Sequence, residues 1–258
     1  MLIKKRHYIL LAVLSYVFFT LSNVPASKVI SLAEQQTSMP VKFYGVHGSL
    51  WNGGAQSLLI SGQPPVDNLQ WSINPLSLLL AKISSELSAS IKNQNIVGNL
   101  SLSALGTLQA SDVRARIDST VMQELLLLPF GELDGVFNID IRSAILSNDA
   151  LPVIDASINW KNARLTVVDS VNLGQVDLHI QPTNDNKLSA TLNNKQGELL
   201  LKGNAEVDAD KAYSLDLLLT PQSNTPQSVT QSLGMFSRRQ SNGSYQLKRK
   251  GNLSEFGI

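Results

Sequence analysis

The chain contains no cysteine, which excludes disulfide staples, thiolate zinc sites and thiol catalysis together. Charge is scarce as well. Asp, Glu, Lys and Arg make up 16% of the 258 residues, against about a quarter in an ordinary soluble domain. The formal net charge is +1, so nothing in the overall balance points to a nucleic-acid partner. Histidine is limited to His7, His47 and His179, with no metal-ligand spacing among them. His179, between Leu178 and Ile180, reads as a solvated surface residue. There is no Gly-x-Ser-x-Gly elbow and no glycine-rich phosphate loop. Asp208 and Asp210 resemble a carboxylate pair, but they stand in a turn, where aspartates usually bind their own backbone. The residues therefore nominate no catalytic group, no metal ligand and no cofactor.

Hydrophobic residues account for 43% of the chain, which excludes a wholly disordered protein. Part of that content is concentrated at the start. Tyr8 to Ser27 is an uncharged run, preceded by Lys4, Lys5 and Arg6. A helix of that length reaches about 30 Å, the thickness of a bilayer's hydrocarbon core. The basic flank acts as a topology determinant that holds residues 1–7 in the cytoplasm and exports the chain beyond the run. Two readings of the run remain open, a retained signal anchor over 8–27 and a cleaved signal peptide ending near Val24-Pro25-Ala26. Proline beside the cleavage point and the lack of a clean A-x-A site favour the anchor. Residues 28–40 read as a short helical linker ended by Met39-Pro40. Basic residues gather again near the end, at Arg238, Arg239, Lys248, Arg249 and Lys250, so the body between is net acidic. That basic end reads either as a patch for anionic lipid head groups or as the polar side of a last hairpin.

From Val41 the apolar period changes to two, the spacing of strands with one greasy and one wet face. Examples are Val113/Ala115/Ile117, Phe137/Ile139/Ile141, Ala156/Ile158/Trp160, Val176/Leu178/Ile180 and Leu188/Ala190/Leu192. Leu100/Leu102 and Leu215/Leu217/Leu219 obey the same rule. Such one-sided alternation suits antiparallel sheets. Asp134-Gly135, Gln196-Gly197, Gly203-Asn204 and Asn242-Gly243 read as turns or bulges. Helices are expected at Pro75–Lys82, at Ser119–Leu128 with Thr120 as N-cap, and at Pro226–Phe236. Three short helices cannot cover a dozen strands. The fold is therefore expected to be mainly β: an N-terminal transmembrane helix, then a long curved antiparallel sheet (open groove, half-barrel or sandwich-like) over 41–258 with a few short helices. A loose internal echo relates Gly48-Ser-Leu-Trp51 to Ala156-Ser-Ile-Asn-Trp160.

Three elements recur in a fixed order: Gly48/Leu50/Trp51/Gly53/Ala55, then Leu69/Trp71/Pro75, and finally Gly243/Tyr245/Leu247. With the basic start and the apolar run before them, they give the chain a pattern that resembles protein N of the bacterial type II secretion system. The resemblance covers essentially the whole chain, although G-x-L-W-x-G-x-A also occurs in membrane-anchored envelope proteins of the AsmA/TamB kind. The basic Lys248-Arg249-Lys250 departs from the family pattern. The resemblance implies a non-enzymatic protein of the inner membrane with a periplasmic domain, working with other type II secretion proteins in export of folded proteins. The family offers no catalytic residues to carry over, so the motif residues are expected to be structural. The AsmA/TamB similarity implies a second possibility, an apolar groove that holds phospholipid acyl chains.

Overall fold

The computed structural model describes Tyr16, Thr20 and residues 23–36, 41–128, 131–147 and 150–253. Lys4, Lys5 and Arg6, most of the 8–27 run and the Met39-Pro40 stop lie outside the described residues. Among the described residues, no helix is long and apolar enough to cross a membrane. The chain divides into two compact units, 1–93 and 94–258.

The first unit begins with helix α1 (Ala26–Gln36). After it come strands β1 (Val41–Tyr44), β2 (His47–Gly48), β3 (Asn52–Ile60), β4 (Val66–Ile73) and β5 (Lys82–Ile91). β3 is the centre: it pairs with β1, with β2 and with β4, and β4 pairs with β5, always antiparallel. Between β4 and β5 lies a 3-10 helix, Pro75–Leu80. The helix expected over Pro75–Lys82 is thus shorter and tighter than an α-helix. The Asn74 side chain caps its start, and Ala81, with φ 52°, turns left-handed and ends it.

The second unit holds β6 (Gln94–Ser103), β7 (Leu108–Asp118), β8 (Glu132–Leu146), β9 (Val153–Thr166) and β10 (Ser170–Pro182). β11 (Leu188–Lys195), β12 (Leu199–Val207), β13 (Ala212–Pro221), β14 (Arg238–Arg239) and β15 (Tyr245–Asn252) complete it. From β7 to β13 each strand pairs with the one before it. β15 then joins β13, and β14 lies outside β15. The mainly β, antiparallel expectation is met.

Register turns the alternation into a surface. Ile96, Ala115, Ile139, Ile158, Leu178, Leu192, Gly203, Leu217 and Leu247 stand opposite one another in succession. This apolar row crosses β6 to β13 and β15, and its side chains are half-buried rather than covered. Gly203, expected in a turn, lies inside β12 instead. A Cβ there would stand 2.8 Å from Leu217 Cδ1, so the glycine makes room on the row rather than bending the chain. Leu102, expected on the greasy face, is 46% exposed near the end of β6.

Helices close only parts of that face. α2 (Ser119–Leu126) buries Val121 and Met122 and packs on β7 and β8. Its N-cap is Asp118, whose carboxylate accepts from the Val121 N–H at 3.1 Å, and not Thr120 as the sequence suggested. Leu127 ends the helix in a left-handed conformation, two residues earlier than expected. α3 (Gln227–Phe236) inserts Leu233 among Ala163, Val171, Val176, Leu199, Leu219 and Tyr245, the main core of this unit.

Candidate functional site

The clearest constructed feature is a clamp in the first unit, assembled from the motif residues. Gly48, with φ 78°, ends β2 and opens a tight turn in which the Ser49 N–H donates to the Asn52 carbonyl at 2.9 Å. Asn52 N–H donates in turn to Ser49 Oγ at 3.0 Å. Across β3 and β4, Gly53 faces Trp71 and Ala55 faces Leu69. A Cβ on Gly53 would lie 2.6 Å from the Ser49 carbonyl oxygen and 2.7 Å from Trp71 Cζ2. Only glycine lets the indole lie this close. Ala55 beside it is 1% exposed.

That packing aims the Trp71 indole N–H at the Leu50 carbonyl, 2.9 Å away. Leu50 uses its own N–H to hold the Val24 carbonyl at 2.8 Å, and Pro25 forms a β-bridge with Ser49. Ala26, the next residue, is fully buried. Trp51 accepts from the Ile73 N–H at 2.6 Å, tying the turn to the end of β4. Two residues on, Pro75 begins the 3-10 helix. Gly48, Leu50, Trp51, Gly53, Ala55, Leu69, Trp71 and Pro75, scattered over 28 positions in the sequence, thus build one end of the first unit, where Leu50 and Ser49 hold the last residues of the apolar N-terminal run.

Gly243, Tyr245 and Leu247 belong to the second unit. Gly243, φ 83°, forms the turn before β15, Tyr245 is buried against the α3 core, and Leu247 stands opposite Leu217. The basic end is a hairpin: β14 carries Arg238 and Arg239, and β15 carries Lys248 to Lys250. Lys248 pairs with Asp216 at 3.1 Å, and the Gln246 amide donates to the same carboxylate at 2.7 Å. The Gln246 hydrogen bond, more than the Lys248 contacts, holds the Asp216 carboxyl below the usual aspartate range. Asp208 accepts from the Asp210 and Ala212 N–H groups, a turn residue bound to its own backbone. His179 is exposed. Among the described residues, no three of His, Cys, Asp and Glu come together as a metal site.

A likeness between tryptophan sites does exist, but it links Trp160 to Trp71 and not to the Gly48–Trp51 segment. In β9 the Trp160 indole donates to the Asp134 carbonyl at 2.8 Å and lies over Gly135, whose Cβ would sit 2.8 Å from Nε1. Trp71 with Gly53 and Leu50 repeats that arrangement. Trp160 additionally stacks on Phe137, ring centroids 4.9 Å apart.

Sequence reasoning missed how the 3-10 helix is turned. Ser77 is buried; its hydroxyl donates to the Asn74 carbonyl at 2.6 Å and accepts from the Ser84 N–H at 3.1 Å. Leu76, Leu79 and Leu80 are 70%, 83% and 71% exposed. The available signal was one serine inside a leucine run after Asn-Pro, with no polar face for water.

A family model for type II secretion system protein N matches residues 40–248. The chain belongs to that family. The matched stretch contains every element of the motif from Gly48 to Leu247, and it makes the chain a type II secretion component. No protein of curated function and no solved structure matches the chain.

Proposed function

We propose that the chain is a non-enzymatic, inner-membrane-anchored component of the type II secretion system that assists export of folded proteins from the periplasm. In this reading residues 1–7 are cytoplasmic, 8–27 carry the anchor with its crossing part ending before the docked Val24, 28–40 form the helical linker and 41–258 the periplasmic β-rich part. The family match over 40–248 carries the proposal. Retention of the anchor is supported by the way Val24, Pro25 and Ala26 are built into the first unit; cleavage near Ala26 would remove the chain that the clamp grips. The motif residues then act structurally, and other type II secretion proteins are the partners. The test is deletion of the chain in its host, monitoring export of a secreted hydrolase. Export is expected to fall; normal export with no copurifying secretion component would overturn the proposal.

One observation favours a second role compatible with the first. The apolar row of the second unit is half-buried along nine strands, while α2 and α3 close only parts of it. Open apolar surface of that extent suits a lipid acyl chain, as the AsmA/TamB resemblance implies. Mass spectrometry of the gently solubilised protein should then find stoichiometric phospholipid, and a lipid-free protein would remove this role.

A further inference from the structure

We propose that the 3-10 helix Pro75–Leu80 is a foot that rests in the membrane interface, its leucines entering the leaflet from which the anchor emerges. The inference rests on the anchored reading above.

Its first ground is orientation. A short helix of a soluble protein turns its apolar side inward, but here Ser77 is inside and Leu76, Leu79 and Leu80 point to solvent. Hydrogen bonds hold the helix in this orientation. Asn74 caps the helix, its N–H donates to the Ser84 carbonyl at 2.9 Å, and Ser77 bridges Asn74 to Ser84.

The second ground is position. Val24 is held by Leu50, Leu50 by the Trp71 indole, and Trp51 by Ile73, which adjoins the Asn74 cap. The leucines therefore stand at the same end of the first sheet as the point where the anchor arrives.

The third ground is length. With Val24 to Ala26 committed to the sheet, the part of the run free to cross is 8–23, and a helix of those residues would reach about 24 Å. That is short of the roughly 30 Å hydrocarbon core, so an anchored chain draws this end of the sheet against the bilayer. Charge agrees: between Asn68 and Ser85 the one charged residue is Lys82, exposed beside the leucines and suited to anionic head groups.

The chain's lack of cysteine makes the test direct. Full-length single-cysteine variants L79C, F18C and S61C are labelled with an environment-sensitive fluorophore and reconstituted in phosphatidylethanolamine–phosphatidylglycerol vesicles carrying nitroxide-quencher lipids. Ser61, in the β3–β4 turn, marks the opposite end of the same sheet. The expected result is loss of emission for F18C and L79C, strongest for L79C with a shallow quencher, and none for S61C. Because Leu79 is 83% exposed, its replacement removes no packing, and L80C serves as the independent repeat. Quenching of F18C without quenching of L79C and L80C overturns the foot while leaving the anchor standing. An unquenched F18C overturns the anchored reading itself. A blue-shifted but unquenched L79C places the leucines against protein instead, and equally overturns the proposal.

Discussion

Single side chains decide the clamp. The Trp71 indole has one donor, and it is spent on the Leu50 carbonyl that backs the Val24 contact. Trp71→Phe is expected to lower unfolding free energy by about 1–2 kcal/mol, measured by urea unfolding of the full chain in detergent. Hydrogen exchange at the Leu50 amide should accelerate with it; unchanged exchange would show that the indole does not brace the turn. Gly53→Ala should cost about as much or more, since the new methyl meets two backbone carbonyls and the indole. At Asp216 the sign of the pH effect comes from its lowered pKa. A carboxylate depressed in the folded state adds stability above its unfolded value and loses that contribution as pH falls through its folded value. Carbon-13 titration should therefore place Asp216 below ordinary aspartates, and Gln246→Leu should move it upward. The motif glycines and tryptophans were visible as letters in the sequence, yet their meeting was not, because Gly53 and Trp71 are brought together by β3–β4 register.

Elements were more legible than their edges. Alternation in β7 to β11 read correctly because a strand with one wet face must alternate, and the register then stacked those residues in the order observed. Where the reading failed, a local rule had a competitor. Gly203 obeyed packing against Leu217 rather than turn chemistry, and Asp118, the last residue of β7, caps α2. Pro75–Leu80 is too short for the α-helical period to decide which side faces inward. Among helices, α3 matters most for stability, because Leu233 fills a core shared by five strands, β9, β10, β12, β13 and β15. Leu233→Ala is expected to destabilise the second unit by about 2–5 kcal/mol, read from chemical denaturation. Met235, on the same helix and 85% exposed, should tolerate alanine with a change of about 0.5 kcal/mol or less.

For the whole molecule, the anchored reading makes a simple demand on the mature chain. N-terminal sequencing of protein recovered from the host membrane should find the 8–27 run still present, and alkaline extraction should leave the chain in the membrane fraction. A mature start near Ala26 would contradict both the anchor and the clamp's role. The sequence disclosed a mainly β body because composition and period are sums over many residues. The division at Asn93 was not foreseen, since no linker composition marks it. One property of the second unit bears on how such a protein is made. Nearly every strand pairs with the one just before it, so no early strand waits for a distant partner. In the exported reading, a chain threaded through a translocation channel from its N-terminus can zip up hairpin by hairpin as it emerges, burying each new edge soon after it appears. Only the last step, where β15 must reach β13 past α3 and β14, requires the tail to have cleared the channel.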